Sequence, residues 1–305
     1  MEEFSERAVA LVPGLGIGGF GSDELSTTAT TPLLPELIIR PSKGFLRLNL
    51  KDVWAYRELL YFLVWRDVKV RYKQTAIGAA WAIIQPLLTM VIFTLVFDKF
   101  AKVPSNGLPY PIFSFAALLP WTYFSKALNQ SILSVVSNAN LITKVYFPRL
   151  LLPTASVLAG MVDFAISFLF FVILMVWYGI IPSSAVLFLP GFTLLAMLTA
   201  LAVSLWLAVI NVRYRDVGQA IPFVVQLWMF ASPVAYPMSV VPEKWRLFYS
   251  LNPMAGVIEG FRWALTGSER PPLVPIILST LIVCVLLYGG ILFFRRMEST
   301  FADEI

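Results

Sequence analysis

Long stretches of the 305-residue sequence, residues 74–97, 217–242 and 271–294 among them, carry no charged residue. Each exceeds the roughly 20 residues a helix needs to cross about 30 Å of hydrocarbon. A soluble domain could not hide this chain's apolar surface either. Of its residues, 58% are hydrophobic and 13% charged, where a soluble domain needs roughly a quarter charged. The pattern predicts an all-α polytopic membrane protein.

Six transmembrane helices are expected, at about 76–97, 110–136, 150–178, 185–210, 217–240 and 273–294. Pro120 marks a kink in the second, whose later half is made polar by Lys126, Asn129 and Gln130. Around them, residues 1–40 read as a flexible cytoplasmic tail and 41–74 as a cytoplasmic segment containing an interface helix. Residues 75–297 form the transmembrane domain, and 298–305 a cytoplasmic C-terminus. An even span count puts both ends on one side, and Lys and Arg choose the side. Of the 23 basic residues, 16 fall with the termini, nine of them between Arg40 and Lys73. The opposite side has Lys99, Lys102, Lys244, Arg246, Arg262 and Arg270, diluted by acids. Both termini are therefore expected in the cytoplasm, and the basic balance reflects topology and anionic lipid rather than nucleic acid.

Several chemistries are poorly served. Histidine is absent, and the single cysteine, Cys284, lies in an apolar run. That leaves no usual metal-ligand set and no Ser-His-Asp or Cys-His pair. No G-x-x-x-x-G-K-S/T phosphate loop occurs. Gly14, Gly16 and Gly19 satisfy G-x-G-x-x-G, but the following residues lack a helical pattern, so the motif reads as tail. The acidic opening MEEFSER is unlike a secretory signal.

The segment WRDVKVRYKQTAIGAAWAIIQP, from Trp65, sets a dense positive cluster directly against an apolar run. Arg66, Asp67, Lys69, Arg71, Tyr72 and Lys73 supply more charge than orientation alone requires. Upstream, Val53, Tyr56, Leu60, Leu63, Val64 and Val68 recur at spacings of three and four. Residues 52–72 are thus expected to form an amphipathic helix at the cytoplasmic membrane surface, as a lipid anchor or as a docking surface for a partner.

Asp163 falls near the middle of the third span, where a lone carboxylate costs at least about 2.5 kcal/mol. It must find a partner or line a pathway, and Ser167 is one turn away. The loop NANLITKVYFPRLLLP, from Asn138, contains a short amphipathic turn that Pro148 halts. It either caps its own helices or binds a cytoplasmic partner. Aromatic residues make up 14% of the chain. Their rings can pack against helices and lipid or offer flat faces to sugar. Phe93, Phe97, Tyr110, Phe113, Trp121, Tyr123, Phe223, Trp228 and Tyr236 are the candidates for a glycan channel.

Taken in order, WRDVKVRYKQTAIGAAWAIIQPLL, NANLITKVYFPRLLLP, RYRDV, ASPVAYP and LNPMAGVIEGFRWAL resemble the signature of a known family. These are the permease subunits of bacterial ABC polysaccharide exporters of the O-antigen (Wzm-like) type, and the likeness runs from about Glu36 to the C-terminus. The resemblance implies a homodimer in the bacterial inner membrane, exporting undecaprenyl-linked polysaccharide. It implies two ATP-binding cassette subunits that bind ATP and Mg, with no cofactor in this chain. It implies a coupling helix at about 140–149 that includes Asn140, Leu141, Ile142, Lys144, Val145, Tyr146 and Arg149. It also implies outer re-entrant helices at about 242–266, with Asn252, Glu259 and Arg262 at an outer gate. Teichoic acid or capsule is an alternative cargo. A membrane glycosyltransferase would need acids clustered at one face, and a channel or structural protein would need no motor.

Overall fold

The computed structural model describes residues 54–73, 75, 78–267, 271–298, 300 and 301. The tail readings, with the glycine motif and the basic residues between Arg40 and Lys51, lie outside the described residues. Among those described, the secondary structure is entirely helical. Four helical stretches are long and apolar enough to cross a membrane: Gly78–Phe100, Leu151–Trp177, Ser184–Arg213 and Leu273–Glu298.

The chain enters through α1 (Arg57–Tyr72). Its apolar stripe packs on protein: Leu63 is buried, with Tyr56, Leu60 and Val64 against the same core as Leu151 and Leu152. A second face carries Tyr61, Phe62 and Trp65, each more than half exposed. Gly78, at positive φ, opens a 3-10 turn that leads into α2 (Trp81–Phe93), which continues as a π-helical stretch to Phe100. Pro86 lies inside α2 and has no N–H to give the carbonyl of Ala82. The hydroxyl of Ser167 supplies that donor at 2.7 Å, so the kink-prone site is stapled to the neighbouring helix.

The centre of the bundle is α3 (Tyr110–Ser137). Residues 112–121 are nearly all inaccessible, and Phe115 stacks on Phe171 with ring centroids 5.5 Å apart. Further along, Ser131 donates to Pro153 O at 3.1 Å and lies 2.9 Å from Ser204 Oγ. That explains the weak apolar signal of this helix. Ser131 is satisfied by other helices, and Ser114 and Ser134 by carbonyls of α3 itself, rather than by facing lipid.

After the short α4 (Ala139–Lys144) come α5 (Leu151–Trp177) and α6 (Leu189–Arg213), the latter led in by a 3-10 turn. Next, α7 (Asp216–Phe230) stops ten residues before the expected end of the fifth span. Pro233 and Pro237 prevent it from continuing, and residues 231–242 turn irregularly. At about 22 Å, α7 is too short to cross the hydrocarbon by itself.

Two short helices follow, α8 (Glu243–Tyr249) and α9 (Pro253–Thr266), and then α10 (Leu273–Glu298). The start of α9 accounts for each of its orphan donors. Pro253 has none, Met254 N–H donates to the Asn252 side chain at 3.0 Å, and Ala255 N–H to Asn252 O at 2.9 Å. Gly256 N–H reaches Ser279 Oγ of α10 at 3.0 Å. Gly256 and Gly260, four apart, let α9 sink between α10 and α6. A Cβ on Gly256 would overlap the carbonyl of Pro275 and stand 2.6 Å from Ser279 Oγ. Gly256→Ala is therefore expected to destabilise the protein by about 1–3 kcal/mol through overpacking. Thermal unfolding in detergent would register it, and an unchanged midpoint would show that α9 can shift freely.

Candidate functional site

The described structure gathers its functional groups in three places: under α1, on the turn after α4, and around α9. Under α1, Arg71 donates to Asp163 Oδ2 at 2.8 Å, Tyr72 donates to Asp163 Oδ1, and Arg71 also donates to Gln130. One helical turn back, Arg66 donates to the side chain of Asn138 at 2.7 Å and pairs with Asp67 at 2.8 Å. Of the expected interface residues, Arg66, Asp67, Arg71 and Tyr72 thus tie α1 to α3 and α5, while Lys69 and Lys73 stay exposed. Burial, and then the carboxylate beside it, push the Tyr72 hydroxyl up to about 12. It therefore remains a protonated donor at any cellular pH.

This arrangement resolves Asp163. Its partner is not Ser167, whose hydroxyl is committed to α2, but two residues more than ninety positions earlier in the chain. Removing a lone carboxylate from water is costly, and an arginine plus a phenol donor offset that cost. Between α1, α3 and α5 lies a cleft of about 500 Å³ lined by Arg66, Arg71, Gln130, Ser134 and Asn138.

The expected coupling segment divides into anchors and free groups. Helix α4 ends at Lys144, and Val145 is extended (φ −131°, ψ 133°), so the helix is shorter than 140–149. Leu141 and Ile142 face the core, while Asn140 and Lys144 are exposed. Val145 is half exposed and Tyr146 is 80% exposed. Arg149 is not free for a partner. Its backbone N–H donates to Glu298 Oε1 at 2.8 Å, its guanidinium donates to the Glu298 carbonyl, and it lies over the Phe301 ring. It fastens the loop to the end of α10, a role that residue spacing does not reveal.

On the other side of the bundle, Arg262 is 5% exposed. It donates to Val234 O at 2.6 Å, Tyr236 O at 3.3 Å and Phe113 O at 3.4 Å, and pairs with Glu259 at 3.1 Å. Its guanidinium also sits 3.7 Å from the Phe113 ring centroid, a desolvated cation–π contact. Asn252 adds a second tie: it accepts from Trp228 Nε1 at 3.1 Å and donates to Ala231 O and Ser232 Oγ. Together they pin the irregular stretch after α7 onto α9 and the start of α3.

The aromatic candidates need correction. Phe93, Tyr110, Phe113, Trp121 and Tyr123 are buried within this one chain. Trp121 packs with Phe124 and Trp228, Tyr123 against Phe164, and Tyr110 beside Phe113. Rings enclosed by helices of their own chain offer no face to a passing glycan. Phe97, Trp228 and Tyr236 are half-buried, and of the nine Phe223, on α7, is the one that is mostly exposed. Periodicity placed these rings on helices, but it does not distinguish a core face from an open one.

The ABC-2 type transporter family matches residues 58–266, from α1 to the last turn of α9. The chain is 31% identical to the O-antigen export system permease protein RfbA of Myxococcus xanthus over 258 residues, covering 84% of this chain and 98% of that protein. The protein of that name in Klebsiella pneumoniae is 27% identical over 81% of this chain and 94% of its own length. The polysialic acid transport protein KpsM of Escherichia coli is 23% identical over 76% and 91%. With two thirds of the sequence inside the family match and nearly all of a 31% identical relative covered, this chain belongs to the ABC-2 type transporter family.

Proposed function

We propose that the chain is the membrane subunit of an ATP-driven exporter that carries polysaccharide outward across the bacterial inner membrane. The observation that carries this reading is near full-length similarity to permeases named for O-antigen and polysialic acid. The stronger match lies with the O-antigen proteins, which favours that cargo over capsule. Two copies would enclose the path, joined by two ATP-binding cassette subunits that bind ATP and Mg, and the cargo would be undecaprenyl-linked.

In this arrangement the six spans are α2, α3, α5, α6, α7 with the turn after it, and α10. Helices α8 and α9 are re-entrant on the outer side, and both termini are cytoplasmic. The burial of α9 and the shortness of α8 suit that placement. Val145 and Tyr146, exposed on a loop anchored at both ends, are suited to take the stroke of the ATPase. Tyr146→Asp is expected to weaken ATPase co-purification by about 30-fold, as loss of an interface hot spot does. Stability should change by no more than about 0.5 kcal/mol. Undiminished co-purification would place the docking surface elsewhere. Deleting the gene tests the function itself: surface polysaccharide should vanish and lipid-linked glycan should build up in the cytoplasm. Unchanged surface glycan would refute export.

A further inference from the structure

Both arginines that α1 sets against α3 have carboxylate partners, whereas Lys126, within α3 itself, has none among the described residues. Arg66 pairs with Asp67 and Arg71 with Asp163, both at 2.8 Å. Half-buried Lys126 makes no ion pair and no hydrogen bond among the described residues, and Asp163 nearby is already committed to Arg71 and Tyr72. A lysine amine held away from bulk water with no carboxylate in contact is costly. A chain that keeps one there leaves a charge for something else to complete.

The surroundings indicate what that is. Lys126 lines a crevice of about 150 Å³ between α2, α3 and α7, beside Gln85, Thr89, Thr122, Ser125 and Gln226. Amides and hydroxyls around one fixed cation form a donor-rich setting for an anion. The small volume suits a compact anionic group rather than a run of sugars. The crevice is also connected to the cytoplasmic end by polar groups. Thr122, Lys126, Gln130 and Ser134 follow at intervals of four along α3, and Asn138, four further on, caps its end. They form one ridge that winds from the crevice to the cleft beneath α1. An anionic headgroup could therefore pass from one to the other without crossing a purely apolar surface.

We infer that Lys126 receives the phosphate of a lipid-borne cargo as it leaves the cytoplasmic cleft. The inference rests on the exporter reading and adds the binding group. Phosphate could come from a prenyl diphosphate carrier or from a bilayer phospholipid, and the assignment is to the carrier. The test uses the full chain in phosphatidylcholine nanodiscs, titrated separately with undecaprenyl diphosphate and with phosphatidylglycerol, with bound lipid counted by native mass spectrometry. Lys126→Met should weaken undecaprenyl diphosphate binding by about tenfold or more, the scale of a lost charge-assisted contact. Lys126→Arg should restore most of it, and phosphatidylglycerol should be indifferent to both. Lys126→Gln serves equally if the methionine variant does not assemble. Binding within about twofold of the parent in the neutral variants overturns the inference, as does an equal loss for both lipids. The two readings fail differently. Surface glycan surviving gene deletion refutes export, whereas deletion that abolishes it beside unchanged binding refutes only the role of Lys126.

Discussion

Replacing Asp163 by alanine is expected to loosen α1 from the bundle and to cost about 3 kcal/mol. That is the low end of the range for breaking a buried pair, because Arg71 and Asp163 retain 19% and 11% side-chain exposure. The loss exceeds that of a simple contact, since Arg71 would stay half-buried without its carboxylate and Tyr72 without its acceptor. Adding Arg71→Met should recover part of it, because the stranded charge goes too. Trypsin offers a second readout. Arg66 and Lys69 should be cut faster in Asp163→Ala than in the parent, and at these two sites the double variant should fall between. Equal stability and equal cleavage would mean that α1 is held by its apolar stripe alone. The consequence for transport follows from position: in the proposed orientation α1 lies at the cytoplasmic surface, tied to α3 and α5, so a loose α1 would pass on less of any force applied there.

A second large effect is expected at Arg262. Arg262→Met keeps the volume but strands Glu259 and takes the donor from the carbonyls of Val234, Tyr236 and Phe113. A loss of about 3–5 kcal/mol follows, with reduced yield of folded protein. Glu259→Gln added to Arg262→Met should regain about 1 kcal/mol or more by removing the unpaired carboxylate. The double variant would still lack donors for the three carbonyls, so full recovery would contradict the account of Arg262 as a strut. Chemical denaturation of the two single variants and the double variant supplies the cycle. Residues placed near an outer gate thus serve first to fix the irregular stretch after α7, which Pro233 and Pro237 exclude from a helix.

These two residues also show how far the sequence could be read. The helices that face lipid announced themselves, because a span in hydrocarbon must be apolar over its whole length: α2, α5, α6 and α10 are visible as runs of Leu, Ile, Val and Phe. Helix α3 was traceable to within a residue of its end but muted, since its buried serines bond to carbonyls of its own helix or, at Ser131, to a neighbour. The early stop of α7 was signalled by Pro233 and Pro237, yet the apolar run hid it, as hydropathy does not separate a helix from an apolar turn. Asp163 stood out by its cost, while its partners could not be found by spacing. Arg71 and Tyr72 meet it only through the packing of α1 on α5, and nearby Ser167 was the natural but mistaken choice. Its true task was implied by Pro86, whose missing N–H leaves the Ala82 carbonyl in need of a donor. Arg149 looked available because nothing in its neighbourhood in the sequence reveals Glu298. The rings were the hardest to assign, for a phenylalanine toward the core and one toward a conduit follow the same period.

The central claim is a division of labour, in which this chain forms the route and a separate cytoplasmic subunit drives it. The most direct measurement uses proteoliposomes that hold the purified chain alone or with ATP-binding cassette subunits. Lipid-linked polysaccharide is supplied on the side of the nucleotide, and its arrival on the far side is counted. ATP consumption and glycan transfer should both require the added subunits. Both should fall together when Tyr146→Asp removes the docking residue. Nucleotide consumption and glycan transfer by the chain alone would contradict the account.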